Sequence, residues 1–132
     1  MPVNGVYKVL VVDDSISVVE FLKFVVSRRP QFSVVTAFNA EDAFGYMETE
    51  KPDIVLLDIN LPRKNGLVAC RELKDKYPNL PIIVITAELD PETRWHAFQA
   101  GADDFITKPF NADEITSHIR HHLHLTVLDR PV

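Results

Sequence analysis

Three short segments of the chain are apolar at every position, and they are the first guide to its architecture. They are VLVV at 9–12, IVLL at 54–57 and IIVI at 82–85. Continuous hydrophobicity rich in Val and Ile is typical of strands that are buried on both faces. Two weaker segments, FSVVTAF at 32–38 and DFIT at 104–107, complete a predicted set of five strands.

The segments between these strands have helical periodicity and helical end signals. The pattern predicts helices over residues 15–28, 39–50, 67–77, 91–101 and from 111 onward. Asp14 and Asn39 are the predicted N-caps of the first two helices, and Gly101 suits the left-handed residue after the fourth. Five strands that alternate with five helices predict an α/β fold, a doubly wound parallel sheet with helices on both faces.

Composition narrows the class of protein. The chain has 132 residues, and we expect residues 1–132 to form a single domain. Its 14 basic and 19 acidic side chains give a net charge of −5, which argues against direct binding to nucleic acid or to an anionic membrane. One cysteine, no secretion signal and no apolar run near the roughly 18 residues of a membrane span predict a cytoplasmic protein.

Polar side chains stand directly after four of the predicted strands. Asp13 and Asp14 follow the first strand, Asp58 the third, Thr86 the fourth and Lys108 the fifth. The carboxyl ends of parallel strands share one edge, and ligands bind there at the point where the strand order reverses. Each residue alone has an ordinary explanation, as a helix cap, a turn residue, a hydroxyl bonded to backbone or a solvated cation. Their joint placement predicts a site.

Three carboxylates around one crevice repel one another and need a counterion. Mg²⁺ fits because it is a hard cation that binds few carboxylates and keeps several waters. No His or Cys stands among the predicted site residues to favour zinc. A metal, a lysine and an Asp at the end of an apolar strand are the equipment of phosphoryl transfer, and an Asp can itself form an aspartyl phosphate.

Two further clusters attract attention but are expected to be ordinary surface. Asp103 and Asp104 precede the fifth strand, which places them at the opposite edge of the sheet in a predicted solvated loop. His118 and His122 are four residues apart on the last helix, a spacing that can bind a metal. No acidic partner is evident for them, and histidines are favoured near a helix C-terminus. We therefore expect no metal site there.

Four motifs in order resemble the receiver domain of the bacterial response-regulator family. They are VVDDS at 11–15, LLDINLPRKNG at 56–66, ITAE at 85–88 and KPF at 108–110. The resemblance covers residues 7–124, which would form the core of the domain. It implies a flavodoxin-like fold with strand order 2-1-3-4-5. It also implies a phosphoprotein of two-component signal transduction, a phosphorelay module that is not an enzyme for external substrates.

The resemblance assigns a phosphoacceptor and a metal site. Asp58 would take the phosphoryl group from the phosphohistidine of a histidine kinase or of a histidine phosphotransfer protein. The carboxylates of Asp13, Asp14 and Asp58 would bind the Mg²⁺ cofactor, together with the backbone carbonyl of Asn60. The domain would catalyse its own phosphorylation and its own dephosphorylation.

Further residues would contact or regulate the phosphoryl group. Lys108, the Thr86 hydroxyl and the Ala87 amide would bind its oxygens, so that Thr86 and Lys108 complete the catalytic set. Asn60 and Glu88 stand where the family tunes the rate at which water removes the group. These roles follow from the resemblance and not from the spacing of the residues.

A conformational switch is also implied. Phosphorylation would draw Thr86 toward the phosphoryl group, and Phe105 would turn into the space that Thr86 leaves. The surface of the fourth helix, fifth strand and fifth helix would then change for a downstream effector, or for a second copy in a phosphorylation-dependent homodimer. The pattern alone makes Phe105 an ordinary strand residue. The family also has a cis peptide at the position of Lys108–Pro109.

Two positions depart from the family pattern. Leu61-Pro62 stands where the family has Met-Pro, and Asn65-Gly66 where it has Asp-Gly. We expect Asn65 to suit the turn because Asn tolerates left-handed conformations. Neither departure touches a predicted site residue, so the predicted chemistry is unchanged.

Other classes of protein remain open at this point. An Asp-nucleophile phosphatase of the haloacid-dehalogenase type would also use an aspartyl phosphate, but it would want a second Asp in place of Asn60 and usually a cap domain. A flavodoxin-like cofactor carrier would want a Ser/Thr-rich loop where the two acids stand. A structural interaction module would need none of these residues. The sequence also leaves open whether the receiver stands alone or belongs to a larger regulator or hybrid kinase.

Overall fold

The predicted alternation of strands and helices is present in the computed structural model, which describes residues 5–62, 64–88 and 90–125. The strands are β1 (Tyr7–Val12), β2 (Phe32–Ala37), β3 (Ile54–Asp58), β4 (Ile82–Thr86) and β5 (Asp104–Thr107). The helices are α1 (Ile16–Ser27), α2 (Ala40–Thr49), α3 (Gly66–Lys76), α4 (Pro91–Gln99) and α5 (Ala112–His122). No helix among these residues is long and apolar enough to cross a bilayer.

All five strands are parallel and form one sheet in the order β2-β1-β3-β4-β5. The chain first moves outward from β1 to β2 and then returns to β3 on the other side of β1. The strand order therefore reverses between β1 and β3, whose register pairs Val12 with Leu57. The predicted flavodoxin-like order is confirmed. Asp13 and Asp58, the residues after this pair, consequently lie where two neighbouring strands end.

Apolar layers cover both faces of the sheet. The helices α1 and α5 pack on one face through residues such as Leu22 and Ile119. The helices α2, α3 and α4 pack on the other face through residues such as Met47 and Leu73. Every position of the three wholly apolar segments is buried, whereas most of the edge strand β2 is only half-buried. Burial on both faces is the reason that the central strands lack alternation.

Each helix begins at a side chain that accepts a hydrogen bond from the first turn, the usual way to satisfy its free N–H groups. These N-caps are Ser15, Asn39, Asn65, Asp90 and Asn111. The prediction of Asp14 as the first cap is wrong. The Ser15 hydroxyl accepts from the Val18 N–H, and Asp13 holds the Ser15 N–H at 2.9 Å, which fixes Ser15 at the cap. The left-handed conformation of Gly101 is confirmed by its φ of 103°.

Candidate functional site

The carboxyl ends of β1 and β3 bring three carboxylates together. One oxygen each from Asp13, Asp14 and Asp58 lie within 4.8 Å of one another. Asp13 and Asp58 are only 2% and 4% exposed, whereas Asp14 faces solvent. The site is therefore open on the side of Asp14 and closed by the sheet on the other side.

Lys108 supplies the positive charge of this group. Its Nζ lies 3.0 Å from Oδ2 of Asp13 and 3.3 Å from Oδ2 of Asp58. The Lys108 N–H donates to the carbonyl of Thr86 at 2.8 Å, which holds the residue at the end of β5 beside β4. Burial lowers the pKa of Lys108, but its bonds to the two carboxylates outweigh burial and raise the pKa above its usual value. The side chain is thus a protonated ammonium at neutral pH.

Asp13 shows that the group has too little positive charge. Burial raises the pKa of its carboxyl, the Ser15 N–H and Lys108 act in the opposite direction, and the nearby charge of Asp58 raises it further. Among the described residues Lys108 supplies all the ion pairs of the three carboxylates, and it reaches only Asp13 and Asp58, so the group retains an excess of negative charge.

The donor set fits Mg²⁺. Within the described residues this group consists of carboxylates alone, without an imidazole or a thiolate, and hard oxygen ligands are those that Mg²⁺ prefers. Asn60, the fourth predicted ligand, lies two residues after Asp58. Its N–H donates to Oδ1 of Asp58 at 3.0 Å, which holds it beside the carboxylate group.

The loop after β3 is closed by Gly66. The Gly66 N–H donates to the Ile59 carbonyl at 2.9 Å, and a Cβ at this position would overlap the backbone of Asp58 and Ile59. Only glycine allows this close approach, which fixes the path of the chain just beyond the predicted phosphoacceptor.

The role expected for Asn65 in this loop is wrong. Its φ is −60°, so it does not use a left-handed conformation. Its side chain instead accepts from the Leu67 N–H at 2.7 Å and caps α3. Asn and Asp are equally good caps, which explains why Asn can replace Asp in the motif.

Thr86 and Glu88 form the wall of the site beside β4. Thr86 is fully buried, and its hydroxyl accepts from the Glu88 N–H at 3.1 Å. Ala87 between them is exposed. Phe105, on the neighbouring strand β5, is 8% exposed, and the Arg94 guanidinium lies 5.6 Å from its ring centre. The Lys108–Pro109 peptide is cis, as predicted.

The acidic pair at the opposite edge of the sheet is not a solvated loop, which corrects the prediction from sequence. Oδ2 of Asp103 accepts from Lys74 Nζ at 3.0 Å and from the Ile82 N–H at 2.8 Å. Oδ2 of Asp104 lies 2.5 Å from Nδ1 of His118 and 2.8 Å from Nε2 of His122.

The expectation that the two histidines lack an acidic partner is therefore wrong. The signal that was missed is the position of Asp104 as the first residue of β5. The helix α5 packs back along this strand and brings His118 and His122 to the carboxylate. Burial raises the pKa of Asp104, but its bonds to His118 and His122 outweigh burial and lower the pKa below its usual value. The carboxylate joins β5 to α5.

Comparisons with known proteins agree with this fold. A family described as response regulator receiver domain matches residues 9–120. The alkaline phosphatase synthesis transcriptional regulatory protein PhoP of Bacillus subtilis is 36% identical over 113 residues, which cover 86% of this chain and 47% of PhoP. The chain thus spans about half the length of this curated relative.

Solved structures show the same fold. The BeF3-activated DrrB receiver domain is 30% identical with a TM-score of 0.83, and the match covers 90% of this chain and 98% of that one. NtrX from Brucella abortus, solved in complex with ATP, is 34% identical with a TM-score of 0.83. That match covers 89% of this chain but only 27% of NtrX.

Proposed function

The chain belongs to the response regulator receiver domain family and is thus a module of two-component phosphorelay signalling, and we propose that Asp58 is its phosphoacceptor. The observation that carries this proposal is the position of Asp58. It is 4% exposed at the end of β3, within the carboxylate group and 3.3 Å from Lys108. We further propose residues 1–132 as a single receiver domain with its core at 7–124.

The proposed reaction moves a phosphoryl group from nitrogen to oxygen. A carboxylate oxygen of Asp58 attacks the phosphorus of a partner's phosphohistidine, the O–P bond forms as the N–P bond breaks, and the imidazole leaves with the electron pair. Lys108 then binds a phosphoryl oxygen, and the Thr86 hydroxyl and Ala87 amide bind others. In-line transfer of this kind depends mainly on positioning and charge.

The carboxylates of Asp13, Asp14 and Asp58 and the carbonyl of Asn60 would hold Mg²⁺. When bound, the ion neutralises charge on the phosphoryl oxygens. The negative excess of the carboxylate group supports this assignment, because among the described residues Lys108 provides its only ion pairs. Water later removes the phosphoryl group, at a rate that Asn60 and Glu88 adjust.

The partner must bring a histidine to Asp58, and α1 offers an apolar surface beside it. Ile16 and Phe24 on this helix are 69% and 61% exposed. A surface hollow of about 320 Å³ lies between α1 and the end of β5, with Phe21, Lys108 and Phe110 in its lining. We propose that the histidine kinase or histidine phosphotransfer protein docks here.

The output is proposed to leave through α4, β5 and α5. Movement of Thr86 toward the phosphoryl group and rotation of Phe105 would change this surface for a downstream effector or a second copy of the chain. The receiver itself would not contact nucleic acid, in keeping with its net charge of −5. PhoP is by name a transcriptional regulatory protein, but the present chain covers only 47% of it.

Labelling by acetyl phosphate with Mg²⁺ tests the proposal. Asp58→Asn should abolish phosphate incorporation measured by intact-protein mass spectrometry, because the amide is a poor nucleophile. Asp75→Asn, at an exposed acid of α3, is the matched control and should label like the wild type. Undiminished labelling of Asp58→Asn would refute the assignment. Repeated turnover of an external phosphomonoester would instead indicate a phosphatase of the haloacid-dehalogenase type.

A further inference from the structure

A hydroxyl in the first turn of α4 lies between two carboxylates. Oγ1 of Thr93 is 2.9 Å from Oε2 of Glu88, 2.9 Å from Oδ1 of Asp90 and 3.0 Å from Oδ2 of Asp90. Thr93 is 8% exposed, although Glu88 and Asp90 are exposed. A buried hydroxyl therefore holds the side chain of an exposed loop residue.

The hydroxyl is not needed to cap the helix. The Thr93 N–H already donates to Oδ1 of Asp90 at 2.8 Å, and this backbone bond is the N-cap. A hydroxyl carries one proton, so it donates to one carboxylate at a time. The hydroxyl is equally close, at 2.9 Å, to Oε2 of Glu88 and Oδ1 of Asp90, and its contact with Glu88 is the one that extends beyond the cap.

Glu88 continues the chain of contacts to the phosphoryl site. Its N–H donates to the hydroxyl of Thr86 at 3.1 Å, and Thr86 is fully buried at the end of β4. Thr86, Glu88 and Thr93 thus connect β4, the following loop and α4 through two hydrogen bonds. If Thr86 moves toward Asp58, either the Glu88 N–H loses its acceptor or the loop moves with it. The bond between Glu88 and Thr93 opposes that movement of the loop.

We propose that Thr93 is a positioning residue, which holds Glu88 and through it Thr86 in the arrangement of the unphosphorylated domain. The inference rests on the proposed function, since it assigns Thr86 to the phosphoryl group. The side chain of Thr93 bonds to Glu88 and Asp90, and neither of these is a proposed ligand of the phosphoryl group or the metal. It acts on the equilibrium between two arrangements of the loop, and removal of its hydroxyl shifts that equilibrium toward the phosphorylated arrangement.

Titration with beryllium fluoride and Mg²⁺ tests this role, because BeF3 is the activating group named for the similar DrrB receiver domain. Thr93→Val removes the hydroxyl and keeps the shape and the backbone cap. It should tighten the apparent affinity, followed by amide NMR, about fivefold, the factor that one hydrogen bond of ordinary strength contributes. Thr93→Ser keeps the hydroxyl and should bind like the wild type.

A second background tests whether Thr93 acts through Glu88. In Glu88→Ala the hydroxyl has lost this partner, so adding Thr93→Val should change the affinity less than twofold. This non-additivity is the signature of two residues that act as one unit. If Thr93 had only a structural role, Thr93→Val would weaken the binding of beryllium fluoride and lower the thermal stability together. Unchanged or weaker binding in Thr93→Val, or a full fivefold gain in the Glu88→Ala background, overturns the inference.

The two proposals fail in distinguishable ways. If wild-type protein neither binds beryllium fluoride with Mg²⁺ nor labels with acetyl phosphate, the proposed function fails, and the inference about Thr93 fails with it. If the wild type binds and labels while Thr93→Val matches it in affinity, only the role of Thr93 is refuted.

Discussion

Two acidic pairs lie at opposite edges of the same sheet, one at the carboxyl ends of the strands and one at their amino ends, and their surroundings differ. Asp13 and Asp14 follow β1, whereas Asp103 precedes β5 and Asp104 opens it. Asp13 is buried and Asp104 is half-buried, whereas the other member of each pair is exposed. In sequence the pairs are nearly equivalent, because both are adjacent acids beside an apolar strand.

The difference lies in the cationic and imidazole side chains that reach them. Asp103 has an ammonium and a backbone N–H, and Asp104 has two imidazoles and the Phe105 N–H. At the other edge Asp13 and Asp58 each accept from one backbone N–H, those of Ser15 and Asn60, and they share the ammonium of Lys108. Asp14 forms no hydrogen bond or ion pair with another described residue.

The comparison shows which acids are available for a ligand. Carboxylates that are paired with an ammonium or with imidazoles of a neighbouring helix stabilise the contact between strand and helix. Carboxylates that outnumber the cationic groups beside them repel one another until a cation binds. Function is thus indicated by a shortage of positive charge and not by the acids themselves.

The largest effect should come from removing the cation or its exposed ligand. Chelation of Mg²⁺ should stop labelling of Asp58 by acetyl phosphate, and Asp14→Ala should slow it about 100-fold, since metal stabilisation of transferred charge is worth several kcal/mol. Asp103→Asn, which removes the charge of the exposed acid at the other edge, should alter the initial labelling rate less than twofold. Equal slowing by Asp14→Ala and Asp103→Asn would remove the distinction between the two edges.

The opposite edge should instead affect stability. Asp104→Asn replaces a carboxylate that accepts from two histidines, and it should lower the free energy of unfolding at pH 7 by about 1 to 2 kcal/mol, allowing for partial solvent screening. Urea denaturation measures the change. Labelling of the folded mutant should remain normal, and an unaltered midpoint would show that the histidine contacts contribute nothing.

The same carboxylate should make stability depend on pH in a defined direction. The folded-state pKa of Asp104 lies below its usual value of 3.8. Its contribution to stability is therefore complete above pH 3.8 or so and is lost as the pH falls through the folded-state pKa. The gap in unfolding free energy between wild type and Asp104→Asn should be full at pH 6 and narrow below about pH 4. A gap that widens toward acid would contradict this sign.

Much of the fold could be predicted because it depends on local pattern. The three wholly apolar segments are buried strands, and Asn39 and Gly101 occupy the predicted helix ends. The strand order came from the resemblance to a family and not from periodicity. Asp14 was misjudged as a cap because Ser15, one residue later, has a hydroxyl equally suited to that position.

The errors at the second edge have another origin. Position along the chain shows which residues follow a strand, but not which side chains other helices bring against them. Lys74 on α3 reaches Asp103, and His118 on α5 reaches Asp104, across distances of 29 and 14 residues in the sequence. The contact between Thr93 and Glu88 was also missed, since DPET reads only as the start of a helix. The contacts of Lys74 and His118 depend on the packing of α3 and α5, whereas Glu88 and Thr93 are close in sequence and depend on how the chain enters α4.

The smallest predicted effect is a gain in stability, whereas most mutations lower the free energy of unfolding. Asp14→Asn removes one of three mutually repelling carboxylates, and without Mg²⁺ at low salt it should raise the free energy of unfolding by about 0.5 to 1 kcal/mol. Added Mg²⁺ should stabilise the wild type by binding the folded state, and it should stabilise Asp14→Asn much less. The order of the two melting temperatures should then invert between chelator and excess Mg²⁺. Asp14→Asn could instead destabilise the protein in chelator, as is expected of Asp104→Asn. The group of Asp13, Asp14 and Asp58 would then be a structural cluster and not a cation site.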